Sequence, residues 1–112
     1  SSRILVMGLA FKENTPDLRN SKVADLVFEL KEKGARVDVW DPWVSARDAE
    51  EEYGIKLVKR PARGRYDAIV LAVGHREFLT LKPADIRRLA KRRHVIYDVK
   101  SLLDRGQSDG RL

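Results

Sequence analysis

RILVMGLAFKENTPDLRNSKVADLVFEL, residues 3–30, decides the fold, because it changes character twice. Arg3–Gly8 is a short apolar run closed by a glycine, which reads as a buried strand. Val23, Leu26, Val27 and Leu30 recur at helical spacing, so an amphipathic helix follows. Ser21 or Asn20 can cap its start and Gly34 can stop it. Between the two lies a segment too long for a tight strand-to-helix turn, and it carries Phe11, Lys12, Asp17 and Arg19.

The pattern repeats outward. Ala35–Trp40 alternates with Val37 and Val39 on one face, a second strand ended by Asp41-Pro42. Ser45 and Asp48 stand in capping-box spacing and open a short acidic helix to Tyr53. Ile55–Val58 reads as a brief third strand at an edge, and Lys59–Arg65 as a loop. Asp67–Val73 is the most apolar run and predicts a central strand. Pro83 suits the first turn of a helix whose buried stripe is Ile86, Leu89 and Ala90. His94–Val99 is the last strand, and periodicity is lost over 102–112. Trp40, Trp43 and Tyr97 are expected at least partly in the core. The order β-α-β-α-β-β-α-β predicts an α/β fold: a doubly wound, largely parallel five-stranded sheet, Rossmann-like, with helices on both faces. The simplest topology with short, right-handed connections has strand order 3-2-1-4-5.

Composition bounds the function. The chain has 112 residues, 43% apolar and 36% charged, the size and balance of a single domain over 1–112. It has no cysteine, which removes disulfides, thiolate metal sites and a cysteine nucleophile from this chain. His75 and His94 lack ligand-like spacing, so no metal site is expected. No apolar run approaches the roughly 18 residues of a membrane span, and SSRILVMG lacks signal-peptide architecture. The chain enters a strand almost at once, as a piece of something longer would, and Ser1 and Ser2 carry no structural signal. Net charge is +6, from 23 Lys and Arg against 17 Asp and Glu, much of it in KPADIRRLAKRR, residues 82–93. Such a balance invites an anionic partner. No aromatic residues interleave with the 87–93 charges, so that cluster reads as a solvated helix face.

In sheets of this class ligands sit outside the carboxyl ends of the strands, where the strand order reverses. Here three loops converge there: Gly8–Ser21, Gly74–Phe78 and Lys100-Ser101. Lys12, Arg76 and Lys100 can face one crevice with Phe11 as an apolar wall, a set suited to a nucleotide. A dinucleotide site would want G-x-G-x-x-G, but after Gly8 those offsets hold Ala10 and Glu13, which argues against NAD on this loop. Each residue also has a plain structural reading. Lys12 can be a solvated loop lysine, Phe11 can be core, and Lys100 can pair with Asp98 or Asp104. Asp17 and Arg19 can pair to stiffen the loop, and His75, with no nucleophile beside it, reads as a loop hydrogen-bonder.

GLAFKENTPDLRNSKV, residues 8–23, resembles the signature opening the C-terminal, UDP-binding domain of the UDP-glucose/GDP-mannose dehydrogenase family. The pattern is roughly G-hydrophobic-[AT]-F-K, then D-x-R-x-[ST]. The likeness continues through VDVWDP (37–42), AVGHREF (72–78) and YDVKSLLD (97–104), in the family's order. ENTPDLRNSK is most similar to the branch that oxidises UDP-N-acetylhexosamines for surface polysaccharides. The resemblance implies a full-length NAD-dependent enzyme that takes C6 of a nucleotide sugar from alcohol to carboxylate through a cysteine thioester. The cysteine, the NAD-binding domain and the central domain would lie upstream of this chain, leaving the present domain inactive alone, without catalytic residues and without bound NAD. Phe11, Lys12 and Lys100 would contact the UDP-sugar, and Asp17 and Arg19 would shape the loop. His75 and Phe78 match a recurrent motif without an assigned role. A cytoplasmic homodimer is implied for the full-length protein, with no nucleic-acid or membrane partner. Two other classes have separate signatures. A receiver-like module needs an acidic cluster after the first strand, and a nucleic-acid binder acting through Arg87–Arg93 would show steep salt dependence.

Overall fold

The computed structural model describes residues 2–10, 14–19 and 21–98. Strand β1 (Arg3–Met7) lies centrally, between β2 (Arg36–Trp40) and β3 (Tyr66–Leu71), and β4 (Ala90–Asp98) flanks β3. Every pairing is parallel, with Leu5 opposite both Asp38 and Ile69. Helix α1 (Lys22–Glu32) connects β1 to β2, and α2 (Ala46–Tyr53) follows β2. Two short helices, α3 (Arg76–Leu79) and α4 (Pro83–Arg87), lie between β3 and β4. No helix among the described residues is long and apolar enough to cross a membrane.

Alternation along the central strand builds two cores. Ile4 and Val6 face one side, with Val39 and Val70, and pack against Ala24 and Val27 of α1 and Ala49 of α2. Leu9, Ala10 and Leu18 join the same cluster, so the long β1–α1 loop is anchored by its own apolar residues. Leu5 and Met7 face the other side, with Ile69, Leu71 and Ile96, under Phe78 and Ile86. Trp40 packs against this second core, whereas Tyr97 is 40% exposed.

Two expectations need correction. Among the described residues the sheet has four strands in the order β2-β1-β3-β4, not five in the order 3-2-1-4-5. The predicted third strand, Ile55–Val58, runs beside β2 but makes one bridge, Leu57 to Val39, and one bond from the Val58 N–H to the Val39 carbonyl at 2.9 Å. It is squeezed between Gly54, in a left-handed helix cap, and the charged run ending at Pro61, which has no N–H to donate. That leaves room for a bridge and not for a ladder.

The second concerns the helix predicted through Leu89 and Ala90. Helix α4 ends at Arg87, and Ala90 opens β4, four residues before the predicted His94. The carbonyls of Arg88 and Leu89 are captured by the N–H groups of Gly64, Arg65 and Tyr66 as the chain enters β3. Strand pairing outcompetes helix propagation there. The basic run is therefore not a helix face. Ala90 pairs with Tyr66 and Val95 with Ala68, so the register shifts around Lys91–His94.

Candidate functional site

The carboxyl ends of β1, β2 and β3 meet where the strand order reverses. Gly8 is the first residue past β1, and it has φ of +102°. A Cβ there would lie 2.5 Å from the Val73 Cβ, so only glycine lets the two chain exits pass this closely. The Gly8 N–H donates to the Trp40 carbonyl at 2.8 Å, tying the exit of β1 to the end of β2.

Asp41, directly after β2, is the hub. Its Oδ2 accepts from the backbone N–H groups of Leu9 at 2.7 Å and Ala10 at 3.0 Å, and from His75 Nε2 at 2.9 Å. Its Oδ1 accepts from the Trp43 N–H at 2.8 Å. Burial pushes the Asp41 carboxyl up. The bonds from His75, Leu9 and Ala10 more than offset that and hold it below the ordinary carboxyl range. The side chains of Asp41 and His75 are both fully inaccessible, and their hydrogen bonds hold backbone at Leu9, Ala10 and Asn14.

His75 continues the chain of bonds. Its Nδ1 accepts the Asn14 N–H at 2.9 Å, so the proton resides on Nε2, which donates to Asp41. Asn14 answers with its own side chain, whose Oδ1 accepts the Arg76 N–H at 2.7 Å. Asn14 has φ of 55°, a conformation asparagine tolerates better than most residues. The His75 ring is stacked on Trp43 at 5.9 Å between centroids and tilted against Phe78 at 5.5 Å. The Arg76 guanidinium lies 4.9 Å over the Trp43 ring, and the Trp43 indole N–H donates to Glu77 at 2.7 Å.

The far end of the loop has a second anchor. Ser21 caps α1 by accepting the Ala24 N–H at 3.2 Å, while its hydroxyl donates to the Leu9 carbonyl at 2.6 Å. The Tyr53 hydroxyl of α2 donates to the Leu18 carbonyl and accepts the Ser21 N–H. Both ends of the 8–21 segment are thus fixed to the scaffold.

Of the residues singled out from sequence, Phe11, Lys12 and Lys100 lie outside the described residues. Asp17 and Arg19 form a two-pronged pair, with Arg19 Nε and Nη2 each 3.1 Å from a carboxylate oxygen, and the Arg19 N–H also donates to Asp17. The bond and charge of Asp17 hold the exposed Arg19 guanidinium above its ordinary range. Arg76 opens α3, beyond the end of β3, with its guanidinium over Trp43. The sequence reading assigned no site role to Asp41 or Asn14, because no local pattern links Asp41 to a histidine 34 positions away. Where a dinucleotide fingerprint would place its first two glycines, the chain has Gly8, packed against Val73, and then the buried Ala10. Among the described residues no group of three potential ligands could hold a metal ion. Neither rival reading gains support. Within the 87–93 run, Arg88 pairs with Asp85, Lys91 pairs with Asp67, and Arg87 bonds His94.

A model of the UDP-glucose/GDP-mannose dehydrogenase family, UDP binding domain, matches residues 5–105. The chain is 58% identical over 111 residues to a UDP-N-acetyl-D-glucosamine 6-dehydrogenase of Pseudomonas aeruginosa, covering 99% of this chain and 26% of that protein. Identity to an enzyme of the same name from Salmonella typhi is 46%, with the same coverage. A solved UDP-D-ManNAc dehydrogenase of Pyrococcus horikoshii superposes with a TM-score of 0.75 at 26% identity, covering 99% of this chain and 25% of that one. The chain spans about a quarter of the length of the curated relatives it matches.

Proposed function

Since the chain belongs to the UDP-glucose/GDP-mannose dehydrogenase family, as its UDP binding domain, we propose that it grips the UDP part of a nucleotide sugar within a longer NAD-dependent 6-dehydrogenase. The observation that carries this reading is the clamped 8–21 loop at the strand-order reversal, where the sequence carries the F-K and D-x-R elements of the family. Phe11, Lys12 and Lys100 are the proposed contacts to the nucleotide, and the Asp17–Arg19 pair is proposed to shape the loop. The similarity to two UDP-N-acetyl-D-glucosamine 6-dehydrogenases favours a UDP-N-acetylhexosamine as substrate.

The domain's contribution is binding energy remote from the reacting carbon. Diphosphate and uridine contacts hold the sugar so that its C6 meets catalytic groups supplied by the rest of the protein. The catalytic cysteine and the NAD site belong to the missing N-terminal and central domains, so residues 1–112 alone are inactive. A cytoplasmic homodimer is part of the same proposal.

Titration of UDP into the full-length enzyme and its Lys12→Ala variant tests the reading. Loss of one charge-assisted contact predicts weaker binding by about 2 kcal/mol, roughly thirtyfold. Equal affinities would remove Lys12 from the site.

A further inference from the structure

We propose that His75 is a positioning residue for nucleotide binding: with Asp41 it clamps the two flanks of the F-K element, Ala10 on one side and Asn14 on the other. The inference rests on the reading above, that this loop carries the nucleotide contacts.

The geometry is specific to that task. On the upstream flank the N–H groups of Leu9 and Ala10 both donate to Asp41 Oδ2. On the downstream flank the Asn14 N–H donates to His75 Nδ1, and Asn14 Oδ1 accepts from Arg76. The two flanks are joined by the bond between His75 Nε2 and the same Asp41 oxygen. Asp41 follows β2 and His75 follows β3, so the clamp is referenced to two strands of the sheet and not to the loop itself. Trp43 and Phe78 pack on the His75 ring and fix its plane.

The physical consequence is preorganisation. Flanks held before the ligand arrives do not lose that conformational freedom on binding, so the contacts carried between them yield more affinity. His75 suits the role because one ring presents an acceptor and a donor on opposite edges, rigidly spaced. Neither amide side chain reproduces both. Asparagine places its oxygen near the Nδ1 position and retains the acceptor for Asn14. Glutamine reaches the Nε2 position and retains the donor to Asp41, leaving the Asn14 N–H without its partner.

The test uses the full-length enzyme with His75→Gln, His75→Asn and Lys12→Ala in parallel. UDP affinity is measured by calorimetry, and kcat and KM with UDP-N-acetyl-D-glucosamine. His75→Gln is expected to weaken UDP binding and raise KM about tenfold, with a smaller fall in kcat, as loss of one positioning hydrogen bond predicts. His75→Asn keeps the acceptor for Asn14 and gives up the donor to Asp41, so it is expected to weaken UDP binding as well. Unchanged UDP affinity in either variant would overturn the clamp. If Lys12→Ala binds UDP normally while His75→Gln does not, the contact assigned to Lys12 fails and the clamp stands. The opposite pattern sinks the clamp alone. Should His75→Gln fail to fold, His75→Asn carries the test, because it breaks the bond to Asp41 that joins the two flanks. A raised KM is expected there as well, and an unchanged one overturns the proposal.

Discussion

Gly8 shows how much of this fold hangs on one missing methyl. Its φ of +102° and the 2.5 Å that would separate an added Cβ from Val73 act together, so Gly8→Ala meets both backbone strain and a clash with a buried neighbour. The expected cost is on the order of 3 kcal/mol, read as a lower urea midpoint with an unchanged slope. An unchanged midpoint would mean that the exits of β1 and β3 can move apart freely. At this scale the sequence is only partly legible. The Asp17–Arg19 pair is two residues apart and can be read directly. The Asp41–His75 bond spans 34 positions, and an Asp before a Pro signals a turn equally well, so no local pattern distinguishes a buried hub from a strand stop. The role of His75 as a loop hydrogen-bonder was readable, but its partners were not.

Elements written in local periodicity are the legible ones. The stripe of Val23, Leu26, Val27 and Leu30 gives α1, and Ser21 and Ser45 cap where capping chemistry predicts. Elements decided by competition are not. Ala90 fits a helical stripe, yet the carbonyls beside it are taken by the entry to β3, and Leu57 has strand chemistry without the length to exploit it. Ser21 joins the two kinds, since it caps α1 and also bonds the Leu9 carbonyl across the loop. Ser21→Ala removes both bonds at a site only 4% exposed. We expect a loss of about 2 kcal/mol, at the upper end for a helix cap, measured by chemical denaturation. A loss below about 0.5 kcal/mol would show that the loop is held without its serine.

Across the described residues, two side-chain bonds, one buried and one half-buried, join strands that the sheet does not pair directly, and each sets a pH limit of opposite sign. Asp41 and His75 join the exits of β2 and β3. Tyr66, at the start of β3, reaches past β1 to donate to Asp38 of β2 at 2.7 Å. The folded Asp41 carboxyl lies below its ordinary value, so its contribution is complete above the unfolded value of about 3.9 and is lost as pH falls through the lower folded one. Burial and the bond to Asp38 push the Tyr66 hydroxyl up to about 12, so its contribution is complete below the unfolded value of about 10 and fades as pH rises toward 12. Asp41→Asn should therefore be less stable than the parent at neutral pH, with the gap closing below about pH 4. Tyr66→Phe should show the mirror image, a gap steady at neutral pH that closes above about pH 10, together with loss of the late step in an ultraviolet tyrosine titration. Denaturant midpoints collected from acid to alkali for the three proteins carry the comparison. A gap that stays constant down to about pH 2 in Asp41→Asn would mean that the carboxylate's charge does not hold the strand exits together, and that shape alone keeps the loop in place.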